Sequence, residues 1–159
     1  MIALILALYF ISIFGAALVA GGQILIRMVI VPVKHRWPTG MSVQLHQATL
    51  DYLPDRYLKP SCLIAGITAL LGSTILLVQH NLSGWSLVWT ILGLVGMVGV
   101  IITSRYFNVR TNKIIKTWSS DKVPENYPQI RDRWDRIHTI RASFGTLMLI
   151  SFIIVGLSA

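Results

Sequence analysis

Three long stretches of this chain carry no Lys, Arg, Asp or Glu: residues 1–26, 60–104 and 142–159. A soluble helical protein needs charges along every helix to stay in solution, so these gaps exclude a soluble bundle. Acid is scarce as well, with six Asp and Glu against fourteen Lys and Arg and a net charge of +8. The single cysteine, Cys62, lies in an apolar run, which excludes an internal disulfide and a cysteine-based metal cage. No phosphate loop, dinucleotide fingerprint or nucleophile elbow is present, and there is no internal repeat. The N-terminus lacks a basic n-region. Its apolar run also exceeds the roughly 7–15 residues of a signal-peptide core, so it reads as a span and not as a cleavable signal.

What is there is apolar. Hydrophobic residues make up 54% of the chain and the mean hydropathy is +0.66. Charged residues make up 13%, against about 25% in an average soluble domain. All the charges fall in two blocks, residues 27–59 and 105–141. The stretch 60–104 can cross a bilayer twice, at about 20 residues per helical crossing, with a polar break at Gln79-His80-Asn81-Leu82-Ser83-Gly84. The pattern predicts an all-α, four-helix transmembrane bundle in one domain, with spans at about 2–33, 61–78, 86–106 and 141–158. Lys and Arg collect in cytoplasmic loops. Both charged blocks are therefore expected on the cytoplasmic side of a bacterial inner membrane, with both termini on the other side. Basic residues beside apolar spans meet anionic headgroups, so the expected partners are the lipid bilayer and a hydrophobic small molecule, not nucleic acid. A homo-oligomer is left open.

An unbroken first helix would measure about 48 Å at 1.5 Å per residue, against a hydrocarbon core of about 30 Å. Its far end must protrude, tilt or break, with Gly21-Gly22 as the weak point and Pro32 as the stop. A short amphipathic helix on the membrane surface is expected over 41–53, capped by Ser42, with Pro54 and Pro60 bracketing the approach to span two. Gly93, Gly96 and Gly99 form a small-residue packing stripe. Span three continues past the membrane edge through Asn108, Asn112 and Ile115 to Trp118. Pro128 starts the helix that runs into span four.

Polar residues concentrate at that end. Arg131, Trp134, His138 and Arg141 share one helical stripe; Arg105, Asn108 and Asn112 form another; the two can face each other. Gln23 and Arg27 reach the same depth on one face of span one, and His46 can fold over the top. Asp132 and Arg136 read as a solvated pair on a different face. Each border arginine alone reads as a snorkelling side chain, and a lone Trp as an interfacial anchor; Trp, His and two Arg opposite two Asn read as a site. No metal or other cofactor is predicted. If one is present, His35, His46 and His138 are its candidate ligands, for copper, iron or haem; His80 lies across the membrane from them.

The run Asn108-Val109-Arg110-Thr111-Asn112, followed by Trp118, Pro124, Arg131-Asp132-Arg133-Trp134, His138 and Arg141, resembles the C-terminal signature of the anthrone oxygenase-like family. These are small four-helix membrane proteins. Gly21-Gly22, Val31-Pro32, His46-Gln47 and Asp55-Arg56-Tyr57 add to the likeness, while Arg110 stands where many members have Pro. The resemblance implies a monooxygenase that oxidises an anthrone, a flat aromatic carbon acid, to an anthraquinone with O2. In that scheme His138 is the base, Arg141 and Arg105 stabilise the enolate, and Asn108 and Asn112 orient it. Trp134 stacks on the substrate, with Arg131, Gln23, Arg27 and His46 completing its surroundings. Two alternatives stay open: a non-catalytic membrane protein binding a lipid headgroup or partner protein, and a metal- or haem-binding membrane redox protein.

Overall fold

The computed structural model describes residues 1–52, 55–79 and 83–158, and at 52, 55, 56 and 108 the backbone alone. Helix α1 (Ile2–Leu25) passes through a π-helical segment (Ile26–Ile30) into α2 (Val31–Arg36). Then come α3 (Thr39–Tyr52), α4 (Asp55–Val78) and α5 (Gly84–Ile102). A second π-helical segment (Thr103–Asn108) leads into α6 (Val109–Lys116), and α7 (Tyr127–Leu157) closes the chain. There is no β-strand among the described residues. Four helical rods are long and apolar enough to cross a membrane: Ile2–Arg36, Tyr57–Val78, Gly84–Lys116 and Tyr127–Leu157. This is the make-up of a multi-pass membrane protein, and a belt of exposed Leu, Ile, Val and Phe surrounds it.

The first rod neither breaks at Gly21-Gly22 nor stops at Pro32. The N–H of Val31 closes on the Ile26 carbonyl five residues back, and Pro32, which has no N–H to give, follows where the ladder returns to α spacing. The π segment thus absorbs the proline, and the helix ends only where Trp37 turns extended before Pro38. Pro60 lies within α4, not before it. Pro54 and the centre of the 79–84 hairpin, with His80, fall outside the described residues. Ser83 caps α5, its hydroxyl accepting from the Ser86 N–H at 3.0 Å.

The bundle is held by α1 against α4 and α7, and by α5 against α7; α4 and α5 meet less extensively. Close approach depends on glycine. A Cβ on Gly96 would sit 2.8 Å from both the Met148 nitrogen and the Phe144 carbonyl oxygen of α7, and one on Gly15 would sit 2.8 Å from the Ser61 carbonyl oxygen of α4.

At the charged end, α3 is the short helix expected between the first two spans, with its start and the role of Ser42 changed. It starts at Thr39, so Ser42 lies inside it, and the Ser42 hydroxyl meets the Tyr127 hydroxyl at 2.6 Å instead of capping. Ser42, Val43, His46 and Thr49 make a buried stripe facing protein. Gln47 donates to the Ile115 and Trp118 carbonyls, and Lys116 ion-pairs with Asp51. So α3 is a roof over the end of the bundle.

Candidate functional site

Trp134 and His138 are one helical turn apart on α7, and their rings stack 4.9 Å apart at 11°. Arg141, one turn further, is also buried. Its Nε donates to Gln23 Oε1 at 2.9 Å, its Nη1 to the Ser104 hydroxyl at 3.2 Å, and its Nη2 to His138 Nδ1 at 2.9 Å. Trp134 Nε1 donates to Asn112 Oδ1 at 3.0 Å. His46, from the α3 roof, meets the Trp134 ring edge-to-face at 4.5 Å. Gln23, His46, Asn112, Trp134, His138 and Arg141 therefore form one continuous cluster drawn from α1, α3, α6 and α7. The side chain of Asn108 lies outside the description.

The two π-helical segments decide which polar residues turn inward. A π turn advances the chain by more residues than an α turn, so side chains beyond its start rotate away from the stripe that α spacing predicts. Gln23, just before the first segment, is buried, while Arg27, inside it, is exposed. In the second segment Ser104 takes the inward place expected for Arg105, and Arg105 is exposed. Arg131 also stands outside the cluster. It binds Asp132 at 3.0 Å, displacing the expected Asp132–Arg136 pair, and covers the Tyr127 ring.

The three-histidine set does not assemble. His35 Nε2 lies 2.8 Å from Asp135 Oδ2, away from the Trp134 ring that His46 and His138 share. His35, Asp132 and Asp135 are close enough together to hold a cation. Their carboxylates, however, already carry Lys34 at 2.8 Å and Arg131 at 3.0 Å, which a metal ion would have to displace.

Spacing alone missed Lys34, Asp135 and Ser104. Lys34 is fully buried, its Nζ 3.9 Å above the Trp134 ring centroid and bonded to Asp135. Asp135 could have been found, since it lies four residues from Arg131 and three from His138 on α7.

The hydrogen bond from Arg141 settles the tautomer of His138. Guanidinium nitrogens only donate, so Nδ1 accepts and the proton of the neutral ring sits on Nε2. That N–H is buried without a partner of good geometry, although the Gln23 main-chain carbonyl acts on the same ring. His46 is fully buried with neither nitrogen hydrogen-bonded. Its pKa is held well below the usual histidine value, by burial first and then by Lys34, His138 and Arg131.

Beside the cluster, a pocket of about 190 Å³ opens at the α4–α5 seam. Leu58, Cys62, Leu63, Val100, Ile101 and Val109 make its apolar walls; Gln23 and Ser104, the residues that hold Arg141, are its inner polar groups; Lys59 and Arg105 are its cations. Trp134 and His138 lie behind this polar wall and do not line the pocket.

Neither the curated proteins nor the solved structures hold a match to this chain. The family profile described as anthrone oxygenase matches residues 52–154, a segment containing Ser104, Asn112, Trp134, His138 and Arg141. On that match over most of its length, the chain belongs to the anthrone oxygenase family.

Proposed function

We propose that the protein is a membrane-embedded oxygenase acting on a hydrophobic, anthrone-like aromatic substrate with O2, and that its charged end faces the cytoplasm. The catalytic reading rests chiefly on Arg141: a buried guanidinium held by His138 and by Gln23 and Ser104, which form the inner polar wall of an apolar pocket. Such an array is preorganised for an oxygen that becomes negative as a carbon acid loses its proton. The pocket is smaller than the roughly 300–1,000 Å³ of ordinary small-molecule sites, so a three-ring substrate lies partly in the seam and partly in the lipid it comes from. Overall, the substrate methylene and O2 become a carbonyl and water. A buried imidazole takes the first proton, the carbanion carbon bonds to O2, and the hydroperoxide loses water.

The test is O2 consumption by the purified protein in nanodiscs with anthrone. Wild type consumes O2 above the buffer rate, and Arg141→Gln loses at least about a hundredfold, the usual effect of removing one oxyanion donor. Anthrone-independent O2 uptake, or full activity in Arg141→Gln, refutes the reading. Sidedness is checked with cysteines placed at Ser83 and Ser120: an impermeant external reagent reaches the first and not the second. A second reading draws on Lys59 and Arg105 beside the same apolar pocket, which suit an anionic lipid headgroup. It expects retained anionic lipid and no O2 uptake.

A further inference from the structure

Five buried polar side-chain atoms have no hydrogen-bond partner among the described residues, and three of them are imidazole nitrogens of His46 and His138. Buried polar groups are nearly always paired, so such a concentration calls for a partner that the protein itself does not supply. Both rings rest on the same indole, that of Trp134. The two rings lie behind the polar wall of the apolar pocket and are linked to it by hydrogen bonds: Gln23 lines the pocket and holds Arg141, and Arg141 holds His138.

The two imidazoles are not equivalent. His138 has its acceptor nitrogen occupied by Arg141 and can offer only the N–H at Nε2. His46, a neutral ring with both nitrogens unengaged, keeps one free lone pair. We propose that His46 is the residue that accepts the substrate's C–H proton, and that His138 is a hydrogen-bond donor acting with Arg141 on the oxygen that becomes negative. This deepens the oxygenase reading and rests on it.

The step runs as follows. Exchange of the Gln23 amide for the substrate oxygen on Arg141 brings the reacting ring toward the two imidazoles. The C–H proton passes to the free nitrogen of His46. The C–H electron pair moves through the ring system onto the carbonyl oxygen, which Arg141 and the His138 N–H hold as an enolate. Lys34 and Arg131, which disfavour a charge on His46 alone, tolerate a His46 cation beside that enolate. O2 then forms the C–O bond, the peroxide oxygen takes the proton back from His46, and loss of water leaves the new carbonyl.

Proton abstraction can be read without O2. Full-length protein in nanodiscs, mixed anaerobically with anthrone in D2O, exchanges deuterium into the methylene faster than buffer does. His46→Gln and His46→Ala fall toward the buffer rate, by about 10²–10⁴-fold for a lost general base, and added imidazole partly restores His46→Ala. His138→Gln keeps an N–H donor and stays within about tenfold of wild type, whereas His138→Ala drops further. Wild-type exchange in folded His46→Gln overturns the proposal, and so does loss of exchange in folded His138→Gln. Thermal midpoints establish folding; if His46→Gln does not fold, the His138→Gln result decides alone. A wild type that binds anthrone yet neither exchanges nor consumes O2 overturns the oxygenase reading itself. A wild type that turns over while His46→Gln does so equally well overturns only the assignment of His46.

Discussion

Lys34 and Asp135 form a buried ion pair between the first and last helical rods, and cutting it from either side should give unequal results. The residues are 101 positions apart in sequence and bond at 2.8 Å, with Lys34 fully buried and the Asp135 side chain 10% exposed. Removing one partner of a buried pair costs about 3–5 kcal/mol, because the other charge is left without compensation. The two sides differ in what remains. In Lys34→Met, Asp135 keeps His35 at 2.8 Å, so the loss should fall below that range, at about 1–3 kcal/mol. In Asp135→Leu, Lys34 keeps the Trp134 face at 3.9 Å, worth about 0.5–2 kcal/mol, and loses its ion-pair partner, so the loss should reach the full range. For a chain of this size 1 kcal/mol moves the thermal midpoint by about 2–4 °C. Asp135→Leu should therefore lower it by roughly 6–20 °C and Lys34→Met by roughly 2–12 °C. The double variant should recover most of the larger loss, since it buries no unpaired charge. Thermal unfolding in detergent, followed by size-exclusion recovery, measures all three. An Asp135→Leu protein at least as stable as Lys34→Met, or a double variant as damaged as the sum of the singles, would refute this account of the pair.

Three further outcomes follow from the same geometry. Gly96→Ala should cost about 1–3 kcal/mol by overpacking, because its Cβ meets main-chain atoms of α7 at 2.8 Å; Gly21→Ala, with nothing within 4 Å of its Cβ, should be close to neutral in the same thermal assay. His46 has a folded pKa below its unfolded value, so the unfolded chain binds the proton more readily. Stability is untouched above about pH 6.5 and falls as pH drops below it, and His46→Gln should flatten that part of the midpoint-against-pH curve. Trp134→Phe keeps a ring on His138 but removes the donor to the half-buried Asn112 oxygen, so it should cost about 0.5–1.5 kcal/mol beyond the lost ring area, and Asn112→Leu in that background should restore part of the loss.

Four spans, one charged end and a polar stripe on the last helix were legible in residue order alone. Charge-free runs longer than a bilayer crossing have few other solutions in water or lipid, and spacings of three and four put Trp134, His138 and Arg141 on one face whatever the helix packs against. The seat of Gln23 beside Arg141 was legible only in part. Its depth followed from distance along the chain, but Arg27 and Arg105 were expected inward on the assumption of constant α spacing. Two π-helical segments break that assumption, turning Arg27 and Arg105 outward and Ser104 inward, and only packing at the charged end decides where such a segment forms. The partnership of Lys34 with Asp135, the diversion of His35 to that pair and the lowering of His46 onto Trp134 are contacts between distant segments. No local pattern encodes them. They exist because α2 and α3 both pack against α7 at the charged end of the bundle, where these polar side chains leave water.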